Sequence, residues 1–283
     1  MSEKIITSYK AFDKNMQCRN FQYEVGKEYE MDGEIKCCNR GFHACKSPME
    51  VWGYYDMLSS RYAEVEQSGK IDKEENLTKV CSSRIKIKAE LKLADIINIG
   101  VEWLKEITSP SKVKTTDKLV DNSGDYAKIG SSGDSAQIGF SGYSAKIGSS
   151  GDYAKIGSSG YYAQIGSSGD SAKIGSSGYS AQIGSSGDSA KIGSSGDSAK
   201  IGSSGDYAQI GSTGEDSVIM CAGNSSRAKA KVGSWITLAE WKWSDEKKRD
   251  VPVCVKTEYV DGENIKADTW YQLKNGKFVE VTE

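Results

Sequence analysis

Asp170-Ser171-Ala172-Lys173-Ile174-Gly175-Ser176-Ser177-Gly178 is followed without a break by Tyr179-Ser180-Ala181-Gln182-Ile183-Gly184-Ser185-Ser186-Gly187. The same nonapeptide extends in both directions. Its isoleucine recurs at 129, 138, 147, 156, 165, 174, 183, 192, 201, 210 and 219. Self-similarity at a fixed short period marks a solenoid, in which each unit buries its inner face only against its neighbours. A helix is excluded, because two glycines per unit would cost roughly 2 kcal/mol in every repeat.

Within a unit, Ala172 and Ile174 are two apart and share one face of a strand, while Lys173 points to the other. Gly175 to Gly178 reads as the turn, with glycine supplying positive φ and serine bonding its own backbone. One short strand and one turn cannot close a coil, so a coil needs two or three units. The first positions of alternate units sort into Asp125, Tyr143, Tyr161, Tyr179, Asp197 and into Asp134, Asp152, Asp170, Asp188, Asp206. Grouping by threes mixes these residues, which favours an 18-residue coil with two facing parallel sheets. Five such coils predict a rod of about 24 Å. The repeat degenerates at Glu215 to Cys221, read as the last coil.

The segments on either side are ordinary in composition, and the chain reads as four parts: 1–107, a small α+β domain; 108–124, a connector; 125–222, the solenoid; and 223–283, a β-rich C-terminal cap. The fold class is therefore mainly β. In the first part, Phe21–Glu30, Glu34–Cys38 and Arg84–Leu91 read as strands. A helix is expected from Ser47-Pro48-Met49-Glu50 to about Tyr55, with Ser47 as its cap, and another over Ala94–Ile107. In the last part, Trp235–Trp243, Val251–Val260, Thr269–Leu273 and Lys277–Val281 read as strands, with turn signals at Asp261-Gly262 and Asn275-Gly276. Trp235, Trp241, Trp243 and Trp270 are expected in the core and end cap.

The 283 residues include 31 glycines but only 3 prolines, against collagen and proline-rich linkers. Net charge is −2, which gives no general drive toward nucleic acid or anionic membrane. No apolar run is long enough to span a bilayer, and Met1-Ser2-Glu3-Lys4-Ile5 opens no signal-peptide core. Cytoplasmic residence is the expectation, and the seven cysteines are read as reduced thiols.

Chemistry-bearing residues are sparse. His43, the only histidine, lies near Cys37, Cys38 and Cys45, but no accepted ligand spacing appears and no metal or other cofactor is assigned. The Asp column differs from calcium-binding nonapeptides, because Asp follows Gly directly; it is read as capping its own turn. Tyr143, Tyr161 and Tyr179, with Lys155, Lys173 and Lys191, form the candidate binding set for a partner protein or, less favourably, single-stranded nucleic acid. Glu64-Val65-Glu66 resembles the Glu-x-Glu strand of ADP-ribosyltransferases, and Gly41-Phe42-His43-Ala44-Cys45-Lys46-Ser47-Pro48 resembles their glycine-aromatic strand and following helix. That resemblance implies a glutamate holding the ribose hydroxyl and stabilising an oxocarbenium charge, with His43, Glu64 and Glu66 as catalytic candidates. Lys10 stands where the family carries Arg or His.

Three further blocks carry a second resemblance: Tyr9-Lys10-Ala11-Phe12 with Cys18 to Gly26, Gly41 to Cys45, and Trp235 to Trp241 with Val255 to Tyr259. They are similar to an uncharacterised family of phage and prophage proteins from gut Firmicutes, with variable numbers of Ala/Gly/Ser repeats between these blocks. The resemblance implies a viral context, where small accessory proteins bind and disable host defence factors. The expectation is a non-enzymatic protein that binds a host macromolecule, the solenoid serving as rigid spacer and binding face. ADP-ribosyl transfer and a structural role in the virion are the alternatives.

Overall fold

In a computed structural model, residues 5–73, 78–108, 119–121 and 124–282 are described, with backbone alone at 104–108 and 119–121. Two compact units divide at Trp103/Leu104.

The N-terminal unit contains β1 (Ile6–Phe12), a two-residue ribbon of β2 (Gln17–Cys18) and β3 (Phe21–Gln22), β4 (Glu28–Glu30), β5 (Phe42–Cys45), β6 (Arg61–Lys73), β7 (Lys79–Leu91) and, as far as Trp103, α1 (Leu93–Thr108). β5, β1, β6 and β7 pair in a closed ring, so they form a small barrel without a free edge between them. β4 continues along β7 where β5 leaves it. Phe12, Phe42, Ala63, Val65, Ile85 and Ile87 fill the interior. One buried amide ties the ring together. Gln67 donates to the carbonyls of Phe42 and Val80 and to Ser82 Oγ, and accepts from Ser8 Oγ. On α1, Ile96, Ile97 and Val101 form the buried stripe.

Three local expectations are corrected here. Phe21–Glu30 is not one strand, because Gly26 adopts φ +85° and separates β3 from β4. Glu34–Cys38 forms no strand beyond a Lys36–Arg40 bridge. Its donors go to side chains instead, Cys37 N–H to Asp72 Oδ2 and Cys38 N–H to His43 Nε2. Pro48–Gly53 is a 3₁₀ helix, and Ser47 makes no side-chain cap bond. Pro48, Met49, Val51 and Trp52 are all buried, more than one face of a short α-helix presents.

The second unit is the two-sided parallel solenoid. Each strand pairs with the strand 18 residues away, Ile147 beside Ile165 and Ile156 beside Ile174. About six coils span residues 128–238. The regular unit points Ala, Ile and the following Ser inward, as at Ala172, Ile174 and Ser176, all fully buried. Phe140 replaces that serine near the start and is fully buried. Of the expected connector, residues 109–118 and 122–123 lie outside the described residues. Leu119–Asp121 is already a strand, paired with Gln137–Gly139.

At the other end the stack continues past Cys221, because Arg227–Lys229 and Trp235–Leu238 add further parallel pairings. Cys221 therefore does not end the last coil. The antiparallel hairpin of Trp235–Ser244 and Arg249–Tyr259 extends one sheet, and that of Tyr271–Lys274 and Lys277–Glu280 extends the other. Asn275 and Gly276 both have positive φ and turn the second hairpin. Asp261-Gly262 turns no hairpin; Asp261 instead bonds the backbone of Glu263, Asn264 and Ile265. Of the four expected core tryptophans, Trp270 is buried, Trp241 is partly buried, and Trp235 and Trp243 are exposed.

Candidate functional site

The solenoid corners display the candidate binding residues. In each unit the second residue, not glycine, takes left-handed φ: Tyr126, Ser144, Tyr162 and Ser180 along one corner, with φ between 53° and 58°. Its N–H bonds the first-position carbonyl of the next coil, as from Ser144 to Tyr161 and Tyr162 to Tyr179. Glycine is required for another reason. A Cβ on Gly187 would lie 2.1 Å from the carbonyl oxygen of Gly169 in the preceding coil.

Both corner residues project outward. Tyr126, Tyr143, Tyr162 and Tyr179 consequently form a continuous edge-to-face chain, with centroids 5.9, 5.3 and 6.0 Å apart. Tyr161 joins through Tyr179 at 6.5 Å. All five are 41–69% exposed. Sequence reading placed Tyr143, Tyr161 and Tyr179 here but missed Tyr126 and Tyr162, because it followed only first positions. Lys155, Lys173 and Lys191 are half-buried and begin the strands that leave the opposite corner. The structure does not bring them beside the tyrosines.

The Asp column does not cap its own turn. Asp134, Asp152, Asp170 and Asp188 each accept, through Oδ1, the backbone N–H of the aspartate one coil further on. The carboxylates thus reinforce the stack from coil to coil.

The N-terminal unit holds a cavity of about 350 Å³ beside β1 and β5. These two strands share only the Tyr9–Cys45 pairing, and Lys10 reaches across to donate to the His43 carbonyl at 2.9 Å. Lys10 is 4% exposed; its ammonium lies 3.5 Å from Cys18 Sγ and 5.5 Å from the rings of Phe12 and Tyr23. Burial holds its pKa below the ordinary lysine value. Tyr55 also donates to Cys18 Sγ, and burial raises the Tyr55 and Tyr23 hydroxyls.

His43 lines the same cavity with its lone pair already engaged, because Nε2 accepts the Cys38 N–H at 3.0 Å. Burial, helped by nearby Lys10, Lys79 and Arg19, pushes its pKa down to about 4. The imidazole is neutral and structurally committed at neutral pH. Glu64 and Glu66 lie on β6 outside the cavity lining, and Glu66 pairs with Lys88 at 2.7 Å. The three catalytic candidates therefore do not converge on one pocket. Among the described residues, no group of three or more His, Cys, Asp or Glu is placed to hold a metal ion. No helix among them is long and apolar enough to cross a membrane.

Residues 6–99 match a family described only as a domain of unknown function, DUF7666. The matched stretch contains the barrel, the Tyr9–Phe12 and Cys18–Gly26 blocks, and Gly41–Cys45. No curated protein and no solved structure matches the chain.

Proposed function

We propose that this protein is a non-enzymatic docking protein whose solenoid grips another macromolecule through the tyrosine strip. In the phage context implied by the sequence resemblance, the partner is a host protein and the consequence is inhibition of a host defence. The observation that carries this reading is the contiguous, exposed chain of Tyr126, Tyr143, Tyr162, Tyr179 and Tyr161 on a hydrogen-bonded frame. Tyrosine offers a large amphipathic surface with little conformational freedom to lose on binding, and the stacked coils fix its position beforehand. Neither alternative gains a specific observation. ADP-ribosyl transfer would need Glu64 or Glu66 at a substrate pocket, and neither lines the cavity.

The test replaces the strip with residues that other repeats carry at the same positions, Tyr143→Asp, Tyr161→Asp, Tyr162→Ser and Tyr179→Asp. Tagged wild-type, quadruple-variant and Glu66→Gln proteins are passed through bacterial lysate, and labelled NAD is supplied in parallel. A stoichiometric partner held by wild type and Glu66→Gln but lost by the quadruple variant is expected. A partner retained by the quadruple variant, or label transfer abolished by Glu66→Gln, would overturn the reading.

A further inference from the structure

The N-terminal cavity is independent of the tyrosine strip and has its own chemistry. Its lining carries Lys10, Arg19 and Lys79 and contains no Asp or Glu. Lys10 is buried with no carboxylate in ion-pair range among the described residues; its bonds go to a carbonyl and a thiol. Burying an ammonium without a counter-charge opposes folding, and an anionic ligand would supply the missing charge. Arg19 carries a second cost. With Asn20 it forms the two-residue turn between β2 and β3, and both have positive φ, 50° and 62°. That turn favours Asn-Gly, and a long branched-charge side chain gains nothing from it locally. Arg19 also makes no ion pair within the described residues. Two cations thus line one cavity, Lys10 buried and Arg19 exposed, each against a local preference. The aromatic rings of Phe21, Tyr23, Tyr54 and Tyr55 line the same cavity, Tyr23 beside Lys10 and Tyr54 under Lys79.

We infer that this cavity binds a small aromatic ligand carrying a phosphate, of mononucleotide size, with Lys10 and Arg19 on the phosphate and the aromatic side chains against the flat body. The volume falls at the small end of organic-ligand sites. Several cations without a lining carboxylate suit a dianion better than a single carboxylate. The His43 titration is depressed chiefly by burial, and Lys10, Lys79 and Arg19 add positive potential in the same direction.

Isothermal titration of the full-length protein with AMP, GMP, CMP and UMP in turn tests this, with adenosine and inorganic phosphate as controls. Saturable binding of at least one mononucleotide is expected, weakened about tenfold or more in both Lys10→Met and Arg19→Asn. Adenosine and phosphate alone should bind more weakly than the mononucleotide. Without ligand, both variants should melt at or above the wild-type temperature, since one removes an uncompensated buried charge and the other suits the turn. Silence from all four nucleotides, binding unchanged in both variants, or melting of both variants well below wild type would overturn the inference. These outcomes concern the barrel alone and leave the solenoid reading to its own test.

Discussion

Two glycines three residues apart, Gly184 and Gly187, offer a sharp test of what holds the solenoid together. A methyl group on Gly187 would meet the Gly169 carbonyl oxygen at 2.1 Å, its carbon at 2.5 Å and Asp170 N at 2.9 Å. All three are backbone atoms of the preceding coil and cannot rotate away. Reaching even a 3.0 Å contact requires the coils to part by about 0.9 Å at this corner. Three inter-coil bonds flank the point: Ser186 N–H to Ser167 O at 2.9 Å, Asp188 N–H to Asp170 Oδ1 at 2.8 Å, and Ser171 N–H to Asp188 O at 2.8 Å. Stretching them by that amount forfeits them, at about 1 kcal/mol each. With some relaxation, Gly187→Ala should therefore destabilise the unit by about 3–5 kcal/mol. Gly184→Ala is the control, since its Cβ would meet nothing within 4 Å and no positive φ is required. It should change stability by less than about 1 kcal/mol, in the favourable direction if anything. Urea unfolding followed by circular dichroism measures both. Because coils couple only to neighbours, Gly187→Ala should also split the transition into two. Equal stabilities for the two variants would refute the claim that coil-to-coil backbone approach selects glycine at the corners.

The single histidine makes another prediction easy to read, because one imidazole resonance reports it without assignment. Proton NMR should show His43 titrating at about 4 rather than near 6.5. Its folded pKa is depressed, so the unfolded chain takes up the proton first as pH falls; stability contributed by the neutral ring should be present above about pH 6.5 and be lost between there and about pH 4. A midpoint near 6.5 would show that the ring is not buried in solution as it is in this fold. The inward serine hydroxyls provide a third test, since Ser176 Oγ is buried without a hydrogen-bond partner. Ser176→Ala should leave the thermal midpoint unchanged or raise it, and a loss above about 1 kcal/mol would mean that the hydroxyl is bonded.

The solenoid was legible because every nonapeptide meets nearly the same surroundings, so its period, inward Ala and Ile, and pairing at 18 residues all follow from one unit. Misread features depend on residues far away in sequence. Glycine was assigned to the turn for its positive φ, but Ser171, Ser180 and their equivalents carry that conformation. The glycine is constrained by a carbonyl 18 residues back, as Gly187 is by Gly169, which no reading of the turn alone reveals. The barrel cavity was missed for a similar reason. Lys10, Cys18, His43 and Tyr55 come from separate elements and share no spacing motif. A signal was available in β1, where alternation from Ser8 through Lys10 to Phe12 puts a lysine in an inward position.

The tyrosine strip is also where the rod departs from its own rule. Asp125 accepts the Tyr143 N–H, and Asp197 accepts the Glu215 N–H, each at 2.7–2.8 Å, as the aspartates of the opposite corner do for their successors. Between these two, Tyr143, Tyr161 and Tyr179 have no carboxylate to offer to Tyr161, Tyr179 and Asp197. At about 0.5–1.5 kcal/mol for each such bond, three consecutive coils give up a few kcal/mol of inter-coil stabilisation. The rings return part of it through edge-to-face contacts, yet each remains more than 40% exposed. A repeat selected only for stacking would keep aspartate at all three places, as its other corner does from Asp134 to Asp206. A run that exchanges reinforcing carboxylates for solvent-facing tyrosines fits a surface kept for contact with another molecule. The same comparison gives the quadruple variant its diagnostic value: restoring aspartate at the three positions should strengthen the rod while removing the proposed grip.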